Sequence, residues 1–228
     1  MPFTIGPKNH NILPPSLKHL IEGFFSLQDW EGLYLTGGTC LAEYYFGHRL
    51  SMDMDLFTAR EDIFREVITT FSVENILPGG KVEIIRSTPH LVQSMYSPHA
   101  ECVPIKIDLM LEVTPHLSPP LKVGFVWIDS LEDLLANKLG CLIQRNDVKD
   151  YLDLYYLIPT SHLTTKELII HGQKKAGGLD PLIVAEQMEF IFHSSPPEAS
   201  LLGKTDWDDL KLFFRKLQKE AFDMIRPA

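Results

Sequence analysis

The sequence predicts an α/β lobe, built on a small mixed sheet flanked by helices, followed by an all-helical C-terminal lobe. Three observations predict it. Short apolar strands alternate with amphipathic stretches from Ser16 to Leu111. Pro115, Pro119 and Pro120 then interrupt all regularity. Beyond them, every periodic stretch has helical spacing. The division is set at residues 1–125 for the α/β lobe and 126–228 for the helical lobe.

In SLKHLIEGFFSL, Ser16 to Leu27, apolar residues Leu17, Leu20, Ile21 and Phe24 recur at helical spacing. A strand at Leu33–Thr36 follows, then a Gly37-Gly38 turn and a helix over Cys40–Phe46. GHRLS leads into a strand at Met52–Phe57, and Glu61–Phe71 reads as a helix. Val82–Arg86 and Val103–Leu111 read as strands, joined by a loop rich in Ser, Pro and His. In the second lobe, Ser130–Ile143 reads as a helix with Ser130 as cap and Asp133 at the third helical position. Asn146–Asp147 interrupts the pattern before a helix over Val148–Leu157. Thr164–His171, Pro181–Phe192 and Asp206–Ile225 supply three more.

The bulk composition narrows the function. At 45% hydrophobic and 22% charged residues, the chain reads as an ordinary soluble globular protein. A net charge of −9 argues against a broad basic surface for nucleic acid, so any phosphate must be held by local cations or metal. No apolar stretch approaches the roughly 20 residues of a membrane span, and MPFTIGPKNHNILPP lacks the apolar core of a secretion signal. Cys40, Cys102 and Cys141 are odd in number and far apart, as expected of small apolar residues in a reducing cytoplasm. The histidines show no zinc-site spacing.

Chemistry concentrates in the strands. Residues two apart share a face at roughly 6.5–7 Å. Met52-Asp53-Met54-Asp55-Leu56 therefore presents Asp53 and Asp55 together, with Met52, Met54 and Leu56 turned to the core. In Val103–Leu111, Ile105, Ile107 and Leu109 form the apolar side, while Lys106 and Asp108 share the other. If the two strands are neighbours, three carboxylates converge. That is unfavourable unless a divalent cation joins them, and Mg²⁺, a hard ion, takes carboxylate and phosphate oxygens. Two such ions clamp the attacking and leaving oxygens of an in-line phosphoryl or nucleotidyl displacement. A lone D-x-D on a solvated strand is common, and a Gly-Gly turn alone is more often only a tight turn. Here Thr36-Gly37-Gly38-Thr39 lies between strand and helix, where exposed amides suit a phosphate, and Arg49 and Ser51 precede the D-x-D.

GGTCLAEYYFGHRLSMDMDLF resembles the first motif of the AbiEii/AbiGii-type toxins, nucleotidyltransferase-like members of the polymerase-beta superfamily. The match runs through Gly37, Gly38, Thr39, Leu41, His48 or Arg49, Ser51, Asp53 and Asp55. Ile105-Lys106-Ile107-Asp108-Leu109 is similar to the second motif, and Leu134-Leu135-Ala136-Asn137-Lys138-Leu139 to the third, with Gly140 and Cys141 departing from its usual small-residue pairing. Arg145, Lys149, Asp150, Asp153 and Leu154 resemble the fourth. The likeness covers about Tyr34 to Leu157.

The resemblance implies a nucleotidyltransferase fold and an Mg²⁺-dependent enzyme, with two ions, that transfers a nucleoside monophosphate from an NTP, ATP among the candidates. The acceptor would be the 3′ end of a tRNA or a protein hydroxyl. The protein would be the toxin half of a toxin–antitoxin pair, with an antitoxin protein as partner. It further implies that Asp53 and Asp55 are metal ligands and that Asp108 shares a metal and takes the proton of the attacking hydroxyl. Nucleotide binding falls to Gly37, Gly38, Thr39, Arg49, Ser51, Lys138, Arg145, Lys149 and Asp150. Lys138 meets the triphosphate, and Asp150 orients that end of the site.

On an unbroken helix, positions 138, 145 and 149 would share one face. A solvated-lysine role for Lys138, a surface role for Arg145 and Lys149, and an ion-pair role for Asp153 are the structural alternatives. Tyr44, Tyr45, Phe46, Tyr151, Tyr155 and Tyr156 read as packing residues. A second hypothesis is a nucleotide-binding or scaffold protein that transfers nothing, although three mutually repelling carboxylates are hard to justify in a dead site. A third is a hydrolase that releases phosphate from NTP without an acceptor.

Overall fold

The computed structural model describes residues 3–72, 80–98, 103–203 and 205–225. Two compact units emerge: Pro7–Ser130, and Leu131–Ala228 together with Met1–Gly6. Cys102 and His99 lie outside the described residues.

The first unit holds a seven-stranded mixed sheet: β1 (Leu33–Thr36), β2 (Met54–Thr58), β3 (Lys81–Ser87), β4 (Leu91–Ser97), β5 (Ile105–Leu111), β6 (Leu121–Val123) and β7 (Val126–Ile128), in the order β3-β4-β5-β2-β1-β7-β6. β1 and β2 are antiparallel, with Thr36 opposite Asp55. β2 and β5 are parallel, with Asp55 opposite Asp108. The two strands read from the sequence as acidic are therefore neighbours. Helix α1 (Pro15–Ser26) buries Leu17, Leu20, Ile21, Phe24 and Phe25, and Phe24 stacks on Trp30 at 4.9 Å. Helix α3 (Glu61–Ser72) packs across β2, β3 and β5 and buries Ile63, Phe64, Val67 and Phe71. Met54, Leu56, Ile105, Ile107 and Leu109 supply the apolar side of the central strands.

Four expectations change. The helix after β1 begins on the glycines, as α2 (Gly37–Leu41), and continues as a π-helical turn over Ala42–Phe46. β2 starts at Met54, so Met52 precedes the strand and is 47% exposed instead of facing the core. The supposed loop after β3 contains β4, whose Val92, Ser94 and Tyr96 are buried in alternation. β6 and β7 follow the proline-rich stretch, and β7 pairs with β1 in parallel, so they belong to the first unit.

The π-helical turn has a support of its own. Buried Glu43 accepts the backbone N–H groups of Asn11, Ile12 and Leu13 at 2.8, 2.9 and 3.2 Å. Three charge-assisted bonds offset the cost of burying that carboxylate and fix the incoming N-terminal segment.

The second unit is helical: α4 (Leu131–Gln144), α5 (Val148–Ser161), α6 (Thr165–Gln173), α7 (Pro181–Gln187), α8 (Glu189–Phe192) and α9 (Trp207–Ile225). α6 opens on a capping box in which Thr164 and Glu167 satisfy each other's backbone amides. Asp147 caps α5, accepting from the Lys149 amide at 2.9 Å. α5 runs past Leu157 to Ser161 despite Pro159, because burial of Leu157, Ile158 and Ser161 holds its last turn. The expected helix at 181–192 is broken at Met188 into α7 and α8. Tyr151, fully buried, lies edge-on to Phe214 at 5.4 Å and donates its hydroxyl to the Gln187 carbonyl at 2.5 Å.

Candidate functional site

Antiparallel pairing carries the chain from Thr36 directly into the glycine turn beside Asp55. Gly37 has φ +69°, a left-handed conformation that other residues adopt only with strain. A methyl group built on Gly37 would lie 2.1 Å from Oδ2 of Asp55. On Gly38 it would lie 2.1 Å from Nη2 of Arg49 and 3.1 Å from Oγ of Ser51. Both glycines are thus spaces that neighbouring side chains fill. Arg49, only 3% exposed, also donates from Nη1 to the Leu50 carbonyl at 3.0 Å. Thr39 donates its hydroxyl to the Asp53 carbonyl at 2.6 Å and so pins the backbone just before β2.

Asp53 itself is exposed at the mouth of β2, while Asp55 and Asp108 are half-buried within the strands. Asp108 is held by two donors: Nε2 of Gln93 reaches Oδ1 at 3.2 Å, and Nζ of Lys106 reaches Oδ2 at 2.5 Å. Burial works to lower the pKa of the Lys106 ammonium. The hydrogen bond to Asp108 and the charges of Asp108, Asp55 and Asp53 outweigh it, leaving the ammonium more basic than usual. All three carboxylates therefore act on one cation. Gln93 escaped sequence reasoning because β4 did. Lys106 carried a readable signal, since it sits two residues from Asp108 on the same strand face.

Beneath the turn, Asp129 ties the sheet to the helices of the first unit. Its Oδ2 accepts the Thr36 hydroxyl at 2.6 Å, and its carbonyl accepts Tyr45 Oη at 2.7 Å. Cys40 lies fully buried nearby. Burial first, and then the charges of Asp129 and Asp55, push its thiol well above its ordinary value, so it packs as an inert apolar residue.

Lys138, Arg145, Lys149 and Asp150 belong to the second unit and form a separate arrangement. The helix does not continue across them: α4 ends at Gln144 and α5 starts at Val148, so the shared face expected of an unbroken helix does not exist. Lys138 instead lies between two carboxylates, with Nζ 2.8 Å from Asp150 and 2.6 Å from Asp153. Its side chain is 7% exposed, and those of Asp150 and Asp153 are 1% and 0% exposed. Arg145 grips Asp150 through Nε at 2.8 Å and Nη2 at 3.1 Å. For Asp150, burial favours the neutral acid. The Arg145 bonds and the Lys138 charge overcome it and leave the carboxyl below its usual range. Lys149 is exposed on α5.

With this geometry in place, comparison with known proteins is decisive. The sequence profile of the nucleotidyl transferase AbiEii toxins, described as a Type IV toxin–antitoxin system, matches residues 22–225. The chain belongs to that family. An uncharacterized protein of Aquifex aeolicus is 27% identical over 209 residues, spanning 90% of this chain and 96% of its own. A crystal structure from Helicobacter pylori, described as a proposed nucleotidyltransferase, superposes with a TM-score of 0.59 at 17% identity, covering 91% of this chain and 94% of that one. The nucleotidyltransferase toxin MenT4 of Mycobacterium tuberculosis gives 0.55 at 14% identity, covering 91% and 82%. The fold of this AbiEii-family chain is thus a nucleotidyltransferase fold, with a mixed sheet and flanking helices. No helix among the described residues is long and apolar enough to cross a membrane.

Proposed function

We propose that this AbiEii-family protein is an Mg²⁺-dependent nucleotidyltransferase that moves a nucleoside monophosphate from an NTP onto a hydroxyl of an RNA end, such as a tRNA 3′ terminus, or of a protein. It would act as the toxin half of a pair with an antitoxin. The observation that carries the reading is the register of β2 and β5, which sets Asp55 opposite Asp108 with Asp53 just before the strand.

The donor set fits a hard divalent ion. All three candidate ligands are carboxylates, and Asp55 occupies a cradle that any side chain at position 37 would fill. Asp53, Asp55 and Asp108 would hold the metal, which when bound neutralises phosphate charge and orients the triphosphate. The chain's own residues do the rest. Gly38 and Thr39 approach the phosphates closely, and Arg49 and Ser51, packed against Gly38, place a guanidinium and a hydroxyl at the same turn. The acceptor oxygen attacks the α-phosphorus. The bond from that phosphorus to the oxygen bridging it to the β-phosphate breaks, pyrophosphate leaves with the electron pair, and the acceptor proton passes to Asp108. Gln93 holds the Asp108 carboxylate in place while its remaining lone pairs stay usable. Lys138, Arg145, Lys149 and Asp150 are assigned to nucleotide binding through the family motifs, with Arg145 and Lys149 the exposed cations among them.

The test is to incubate the protein with each labelled NTP, Mg²⁺ and a cell extract, and to identify the macromolecule that becomes labelled. Asp53→Ala, at an exposed position, should abolish labelling with an unchanged circular dichroism spectrum. Transfer at the parent rate by that variant would show that the assigned metal site is wrong. Tight Mg²⁺-dependent NTP binding with no pyrophosphate released from any mixture would favour a binding module instead.

A further inference from the structure

Asp55 and Asp108 on neighbouring strands, with Asp53 just before the first of them, repel one another whenever no metal is bound, and a folded chain must still tolerate them. The structure contains a remedy in Lys106. Its ammonium lies 2.5 Å from Oδ2 of Asp108, on the strand face that also carries Asp55. The side chain is 42% exposed, against 19% for Asp108, so it reaches the cluster from the solvent side and can leave it. Gln93 holds the other oxygen of Asp108, so the carboxylate keeps its orientation when the lysine departs.

We propose that Lys106 is a resident counter-cation that holds the carboxylate cluster in the metal-free protein and competes with the divalent ion for it. This rests on the metal-site reading above. Lys106 is in this sense a positioning residue that weakens metal binding in the absence of nucleotide. Metal then binds well only when an anionic triphosphate arrives to accept the displaced ammonium, so that metal and nucleotide load together. A four-carbon side chain with several rotatable bonds is suited to such an exchange, whereas a rigid guanidinium fork is not.

The experiment titrates Mn²⁺ into the full chain without nucleotide, following free Mn²⁺ by electron paramagnetic resonance. Lys106→Met should bind Mn²⁺ about tenfold more tightly than wild type, the size expected for removing a unit charge roughly 5 Å from a divalent ion near water. Lys106→Gln, which keeps a donor for Asp108 but no charge, should show the same gain. Lys122→Met, which removes a cation paired with Asp29 elsewhere in the first unit, should leave affinity unchanged. With ATP present, the difference between wild type and Lys106→Met should shrink or reverse. Unchanged or weaker Mn²⁺ binding by both Lys106 variants, while Asp53→Asn weakens it, would overturn the counter-cation and leave the metal site standing. A gain confined to Lys106→Met, absent from Lys106→Gln, would also overturn it, because the effect would not be one of charge. No Mn²⁺ binding by any variant would remove the metal-site reading together with the proposal.

Discussion

Lys138 offers a sharp test of what the helical unit contributes. Its ammonium bonds two carboxylates that are themselves at most 1% exposed, so replacing it with methionine leaves two buried negative charges less compensated. Arg145 still holds Asp150, so the damage concentrates on Asp153. Removing one partner of a buried ion pair costs about 3–5 kcal/mol. For a chain of this size, each kcal/mol lowers the melting temperature by about 2–4 °C, which gives a fall of roughly 6–20 °C for Lys138→Met. Adding Asp153→Asn should recover part of the loss, because the amide carries no charge in need of a partner. Thermal and urea unfolding of the single and double variants, with nucleotide binding measured on the folded fraction, separates the roles. A melting temperature within about 2 °C of wild type would refute the reasoning, since the ion cluster would then contribute nothing measurable. A stable variant that lost only triphosphate affinity would place Lys138 on the ligand instead.

Two further predictions follow from the same distances. Gly37→Ala combines a left-handed φ with a methyl group 2.1 Å from Asp55, so labelling should fall by at least about a hundredfold. Backbone strain should cost only about 1–2 kcal/mol, and a fully active alanine variant would mean that Asp55 need not stay where it is. In acid, Asp150 has its folded value depressed below the 3.8 of the free side chain, so its contribution is complete above about pH 5 and fades as pH falls through the folded value. The melting-temperature gap between wild type and Asp150→Asn should therefore narrow from about pH 5 to about pH 3, and a gap that widened would reverse the assigned direction.

The centre of the fold was readable because its strands obey simple rules. β1 was placed at Leu33–Thr36 as found, and β2 and β5 carry apolar side chains on one face and acidic ones on the other. Their adjacency was only conditional in the sequence, since pairing between distant segments leaves no local mark. β4 was lost because its buried positions include Ser94 and its neighbourhood is rich in turn residues. β6 and β7, three residues each, are too short to show a period. In the site, the glycines and Asp55 were legible from spacing, whereas the reason for each glycine needed three dimensions: Gly37 yields to Asp55, and Gly38 to Arg49 and Ser51. The lysine at 138 shows the reverse limit. Helical periodicity suggested a face shared with Arg145 and Lys149, yet partners on the following helix hold it between two buried carboxylates.

The parallel pairing of β2 with β5 also bears on how the protein is made. Asp55 meets Asp108 only across a crossover that runs through α3, β3 and β4, so no early part of a growing chain can bring the two together. A polypeptide still emerging from the ribosome therefore lacks the carboxylate pair on which the proposed transfer depends until β5 is free to dock.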